Sequence, residues 1–383
     1  MKTAFLKDVF ICSLSAFGGP EAHYGVFTKQ LVEKKGYLSA DELLEWMALT
    51  SFLPGPSSTQ TITAIGYQKG GVKLAFLTLL VWAFPMVSIM TGLTFLVSEL
   101  AGVEGLVQSL RSLSLMALGF LIYGAIKLSQ KAVVSKLTLG LFIFSFGVTL
   151  WFRSFYLFPL LFIASGAIYL LFHPNPDAKK MTLQWNIPLL MVVLLFVLWG
   201  FIHPLLGAVP FLQMTSLFTG FGSLVLGGGN VVIPYMYETL VVDYGWISSE
   251  AFLAGLGLIQ GLPGPMFSFS AWVAGLSFQG NPITQIGAGL TGALFLFLPG
   301  TLFIFLVAPL WNQLKHSSIK PALKGVIAAA SGLVASTAVL LLSDVPVEVG
   351  AIGIIALTVV LLFIRKIPVP MILGLILITG FFI

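Results

Sequence analysis

Apolar residues run along this chain in long, nearly unbroken stretches, with polar residues confined to short punctuations between them. Stretches at 72–98, 105–128, 137–152, 155–172, 187–203, 283–310, 322–342, 348–364 and 368–383 cover all or most of a hydrocarbon layer of about 30 Å at about 1.5 Å per residue. They predict spanning helices, the first kinked at Pro85. Residues 1–70 read differently. Ala4 to Phe17 is apolar but stops at Gly18-Gly19-Pro20, and a helix starting near residue 40, with Ser39 and Glu42 as a capping box, stops at Pro54-Gly55-Pro56. Arms of roughly 10–14 residues cover only about half of the layer. The pattern predicts two broken-helix hairpins dipping to mid-membrane, and two more at 214–280.

The punctuation recurs. Gly18 and Gly227, Gly36 and Gly245, Ser39 and Ser248, Pro54 and Pro263, and Gly66 and Gly275 are all separated by 209 positions, with no gap between them. Pro299 follows Pro85 at 214. The chain is an internal repeat, with a first half at 1–172, a loop and linker span at 173–208, and a second half at 209–383.

Charge changes the picture by reversing between the halves. In the first, Lys29, Lys34, Lys35, Lys69, Lys73, Lys127, Lys131 and Lys136 lie in one set of loops, while Glu99 and Glu104 lie in the other. In the second, the hairpin loops carry Glu238, Asp243 and Glu250, and the next interspan loop carries Lys315, Lys320 and Lys324. Basic loops stay inside, so the second half is expected upside down relative to the first. The linker span at 187–203 supplies the change of parity. This places the N-terminus in the cytoplasm and the C-terminus outside, with Arg153 the one loop residue that disagrees. The expected fold is therefore an all-α polytopic membrane protein of two inverted-topology repeats, each with two broken-helix hairpins and about four spanning helices, joined by one linker span.

Composition fits that class: of 383 residues, 58% are hydrophobic and 9% charged. The net charge of +5 sits in loops, where it reports topology rather than nucleic-acid binding. The N-terminal apolar segment carries polar breakers and no cleavage site, and is expected to be mature structure. The lone Cys12 excludes an internal disulfide and a cysteine metal cluster.

Broken helices in a bilayer must face protein or a polar cavity, and inverted repeats with such breaks are a layout of secondary transporters. Half-helix N-termini present free N–H groups and about half a positive charge each, which suits an anion. The candidate binding residues are Phe17, Gly18, Gly19, Pro20 and His23 at the first break, and Pro54, Gly55, Pro56, Ser57, Thr59 and Gln60 at the second. In the second half they are Gly227, Gly228, Gly229, Asn230, Pro263, Gly264, Pro265, Phe267 and Ser268. Glu21, His23, Arg111 and Lys324 are candidates for coupling or gating, because ionisable groups within a membrane are costly. The bland readings are that Glu21 caps a helix, His23 is a satisfied core histidine, and Lys324 snorkels to the interface. No catalytic residues, cofactor or metal site are expected. A lipid-modifying enzyme would need paired carboxylates or a histidine cluster at the breaks, and neither is there. A passive anion channel stays open as an alternative.

Phe17-Gly18-Gly19-Pro20 with Ala22-His23, Pro54-Gly55-Pro56 with Thr59-Gln60, Gly227 to Gly229 with Pro234, and Pro263-Gly264-Pro265-Met266-Phe267 resemble the signatures of the chromate ion transporter family, in its long two-repeat form. The second glycine motif departs by carrying Leu226 in place of an aromatic residue. The resemblance implies export of chromate across the bacterial plasma (inner) membrane, drawing on the proton gradient and associated with chromate resistance. Sulfate or another oxyanion stays open as substrate. The expected partners are the oxyanion, the lipid bilayer, protons and, for a homodimer, a second copy of the chain. No nucleic acid is expected.

Overall fold

Glycine and proline decide where the helices of this chain stop. The computed structural model describes residues 2–51, 53–99, 104–152, 157–174, 186–206, 209–225, 231–310, 321–343, 345, 348–364 and 366–380. Among them are sixteen α-helices and no strand. In the first half these are α1 (Lys2–Ser15), α2 (Pro20–Phe27), α3 (Ala40–Thr50), α4 (Ser57–Glu99), α5 (Glu104–Ala132), α6 (Lys136–Trp151) and α7 (Leu157–Phe172). Then come the linker α8 (Ile187–Trp199), followed by α9 (Pro210–Ser223), α10 (Val232–Tyr237), α11 (Ser249–Gly261), α12 (Phe269–Ser277), α13 (Pro282–Val307), α14 (Ala322–Ser343), α15 (Val349–Ile364) and α16 (Val369–Gly380).

Local chemistry accounts for the boundaries. The Ser39 side chain accepts from the Glu42 N–H at 3.1 Å while the Glu42 carboxylate accepts from the Ser39 N–H at 2.7 Å, so α3 begins with a complete capping box. Helical dihedrals continue through Pro85, and a separate break within α4 falls at Gly70 and Gly71, where φ is +70° at Gly71. This turn separates the arm after Pro56 from the long span that follows. Among the described residues, four helices are long and apolar enough to cross a membrane: Ser57–Glu99, Gln108–Ala132, Pro282–Leu310 and Ala322–Ser343. The remaining apolar helices are shorter, at 10–17 residues.

The same backbone devices return 209 residues on. Positive φ occurs at Gly36 (+59°) and Gly245 (+60°), at Gly55 (+129°) and Gly264 (+91°), and at Gly71 (+70°) and Gly280 (+100°). α2 relaxes into π-helix over Thr28–Lys34, and α10 does so over Glu238–Asp243. Both π segments end on matching bonds, Tyr37 N–H to Leu31 C=O and Trp246 N–H to Leu240 C=O, each 2.8 Å.

By its contacts the chain forms two compact units. The first comprises Met1–Leu100, Thr182–Gly228 and Ile259–Leu314; the second comprises Ala101–Met181, Gly229–Leu258 and Lys315–Ile383. Each unit therefore draws on both halves of the sequence.

In the first unit α13 packs against α4, α9 and α12, and α1 lies on α4. α8 exposes Met191, Leu194, Leu195 and Leu198 and buries Val193, as expected of a lipid-facing helix. In the second unit α14 packs against α5, α6 and α7, while α15 and α16 lie on α5. Lipid is as apolar as leucine, so helices here associate through close backbone approach and interhelical hydrogen bonds. Gly332 lies so close to the Phe142 carbonyl that a Cβ would collide with it, and the neighbouring Ser145 hydroxyl donates to Ala329 C=O at 2.7 Å.

Candidate functional site

Three of the four predicted breaks lie in the first unit within the described residues; the fourth, Gly227 to Gly229, lies outside them. The Gly55 N–H donates to Val225 C=O at 2.8 Å, and the Gly264 N–H donates to Ala16 C=O at 2.8 Å. Donors and acceptors are each 209 positions apart, so each Pro-Gly-Pro turn bonds the residue two positions before the glycine motif of the other half. Backbone groups freed at a break would be costly if orphaned in an apolar interior, and the crosswise bonds satisfy four of them. Neighbours follow the same rule. A Cβ on Gly55 would lie 2.7 Å from Gly300 Cα, and one on Gly264 would lie 3.4 Å from Met86 Cβ, with Gly300 and Met86 related by the shifted spacing of 214.

Side chains converge on these turns. Gln60 Nε2 donates to Pro54 C=O at 2.8 Å and to Gly300 C=O at 3.1 Å, fastening the first turn to α13. His23 Nδ1 is 2.9 Å from Ser58 Oγ, joining the first turns of α2 and α4, and its ring stands edge-on to Trp82 at 5.4 Å. Trp82 Nε1 donates to Thr59 Oγ1 at 3.1 Å, and Trp82 C=O accepts from Ser13 Oγ at 2.7 Å. Ser13 in turn lies beside Gly264. Trp82, wholly buried, is thus a hub between α1, α2, α4 and the second Pro-Gly-Pro turn.

The site has donors to spare. The first intrahelical bond of α4 is Gln60 N–H to Pro56 C=O at 2.8 Å, which leaves the preceding N–H groups of Ser57, Ser58 and Thr59 without one. Ser268 Oγ is buried without a hydrogen-bond partner among the described residues, and so is Gln60 Oε1, which is an acceptor and adds no donor. At the first break Gly18 is exposed, and nothing lies within 4 Å of where a Cβ on Gly19 would be. Backbone there fronts open space. Free N–H groups and an unpaired hydroxyl can hydrogen-bond an oxyanion.

Not every predicted residue joins this arrangement. Phe17, Gly18, Gly19, His23, Pro54 to Ser57, Thr59, Gln60, Pro263 to Pro265, Phe267 and Ser268 are all in the first unit. Gly227, Gly228, Gly229 and Asn230, and the side chains of Pro20 and Glu21, lie outside the described residues. Arg111 and Lys324 belong to the second unit, where Arg111 pairs with Glu348 and Lys324 is exposed.

A family model described as chromate transporter matches the chain twice, over residues 3–171 and 212–381. The chain belongs to the chromate transporter family. It is 28% identical to a probable chromate transport protein of Synechococcus elongatus, over 95% of this chain and 91% of that one. It is 26% identical to a chromate transport protein of Cupriavidus metallidurans, over 94% and 87%. A chromate transport protein of Pseudomonas aeruginosa is 22% identical, over 85% and 77%. No solved structure matches. The two matches start 209 residues apart, the same spacing that relates the crosswise glycine bonds.

Sequence reasoning missed Trp82, Ser13 and Gly300. Trp82 reads as an ordinary aromatic residue in a span. Gly300 carried a signal, since it follows the Pro299 that repeats Pro85.

Proposed function

We propose that this member of the chromate transporter family is a secondary transporter that carries chromate out of the bacterial cytoplasm by alternating access, drawing on the proton gradient. It performs no catalysis. The anion sits against the N–H groups at the starts of the half-helices, with Ser268 and Thr59 as hydroxyl donors. The observation that carries this reading is the crosswise pair of bonds, Gly55 to Val225 and Gly264 to Ala16. It ties the breaks of both halves into one compact unit.

Support for inversion comes from α4 and α13, the corresponding long helices of the two halves. Gln285 Nε2 donates to Thr94 Oγ1 at 2.9 Å, and Gly289 packs on Thr91. Contacts that step backward on one helix as they step forward on the other are those of an antiparallel pair. Corresponding helices that run antiparallel suit repeats inserted in opposite senses. Contacts of α5 agree with the sides assigned from charge: Arg111 meets Glu348 and Ser114 meets the Glu250 carbonyl at one end, and Lys127 lies over Phe363 at the other. On this reading the halves at 1–172 and 209–383 are the repeats, the N-terminus is cytoplasmic and the C-terminus is outside.

The test is chromate uptake into everted membrane vesicles, with and without an imposed proton gradient. Saturable uptake enhanced by the gradient is expected. Absence of saturable uptake would overturn the reading, and single-channel currents would replace it with a passive pore.

A further inference from the structure

Asp8 lies within α1, is 3% exposed, and plays no part in the arrangement at the breaks. A carboxylate in a membrane helix is costly unless partnered, and intramembrane carboxylates commonly mark proton relays. Its partners come from the end of the first hairpin. Gln30 Nε2 donates to Oδ1 at 2.8 Å, the Tyr37 hydroxyl donates to Oδ2 at 2.7 Å, and Lys35 Nζ stands 3.6 Å from Oδ1. Cys12, one turn along α1, is the other titratable group facing it. α2 gives way to its π segment between Thr28 and Lys34, which carries Gln30, and α4, packed on α1, contributes the apolar ring of Trp82 to the surrounding core. The Lys35 side chain is 46% exposed, so the cluster connects a buried carboxylate to water.

The second half lacks this cluster. At the positions 209 residues on stand Leu217, Thr239, Tyr244 and Trp246, none of them charged, and Leu217 is fully buried. The arms differ accordingly. α1 and α2 belong to the same compact unit, whereas their counterparts α9 and α10 fall in different units.

From this we infer that Asp8, held by Gln30, Lys35 and Tyr37, is the proton-carrying group of the transport cycle and latches the two arms of the first hairpin while ionised. Proton uptake at Asp8 cancels its attraction to Lys35 and makes the carboxyl a poorer acceptor for Gln30 and Tyr37, which frees α1 from the π segment. Proton release restores the latch. The inference rests on the transport reading for its role and on the cluster alone for its site.

Two measurements separate these. Infrared difference spectra of the purified full-length protein should show a protonated-carboxyl band that appears on acidification and is missing in Asp8→Asn. A band unchanged by that substitution would overturn the site, whatever the protein transports. In proteoliposomes, Asp8→Asn should keep chromate exchange within about threefold of wild type while gradient-driven accumulation falls more than about tenfold. Equal loss of both would reduce Asp8 to a structural latch and overturn its role. Should Asp8→Asn fail to insert, Tyr37→Phe removes one donor to the ionised form, so the midpoint of the band should move up by about half a unit to one unit of pH. An unmoved midpoint would count against the site.

Discussion

Gly55 and Val225 lie 170 residues apart in sequence, yet the N–H of the first donates to the carbonyl of the second at 2.8 Å. Gly264 and Ala16 repeat the bond, so the glycine of each Pro-Gly-Pro turn closes on the segment that leads into the glycine motif of the other half. Its conformation matters as much as its bond. At Gly55 φ is +129°, and a Cβ would fall 2.6 Å from Gln60 Nε2 and 2.7 Å from Gly300 Cα.

Gly55→Ala therefore combines backbone strain with overpacking, and should cost roughly 2–5 kcal/mol. Gly36 is the control. Its φ is +59° and nothing lies within 4 Å of a Cβ there, so Gly36→Ala should cost only about 1 kcal/mol of strain. Thermal stability in detergent and chromate uptake in vesicles should both drop sharply for the first variant and little for the second. Equal behaviour of the two would show that the crosswise contact is not what the turn depends on.

Gln60 holds two carbonyls, of Pro54 and Gly300, with one amide nitrogen. Gln60→Leu removes the side-chain donor to both carbonyls, at a cost of roughly 1–3 kcal/mol. Gln60→Glu offers one donor when protonated and none when ionised. Its stability should accordingly rise as pH falls, measured as the melting temperature across a pH series, while that of Gln60→Leu should show no such additional rise.

These two residues also mark what could be read in advance. Pro54-Gly55-Pro56 is legible because proline and glycine act on their own backbone, so the break needs no knowledge of the rest of the chain. The spacing of 209 is legible because it is carried by the same punctuation. What Gly55 touches is not legible, because Val225 carries no side-chain signal for a backbone carbonyl. Asp8 was passed over for a related reason: its partners Gln30, Lys35 and Tyr37 lie 22 to 29 residues away, and beside Lys7 it reads as an interfacial charge. The π segments leave no mark either, since no residue type is specific to that spacing.

Arg111 and Glu348 form an ion pair with both side chains about half exposed, 47% and 53%. Such pairs contribute about 0–1 kcal/mol. A double-mutant cycle with Arg111→Ala and Glu348→Ala should give a coupling below about 1 kcal/mol. Chromate transport by Arg111→Ala should stay within about twofold of wild type, since a charge already neutralised by Glu348 offers an anion little. A large loss of transport at unchanged stability would instead make Arg111 a gate.

Gly36 and Gly245 close the corresponding hairpin loops of the two halves, at φ of +59° and +60°, with open space around each. A cysteine fits sterically at either position for about 1 kcal/mol of backbone strain. Cys12 is fully buried and can be removed as background by Cys12→Ala. With the second half inverted as proposed, a membrane-impermeant maleimide added to intact cells should label Gly245→Cys and leave Gly36→Cys unlabelled until the membrane is opened. The antiparallel contacts of α4 with α13 and the reversed loop charges both support that expectation. Labelling of both from the same side would place the two hairpins on one face. The Pro-Gly-Pro turns could not then enter from opposite sides, and alternating access built on that symmetry would fail with them.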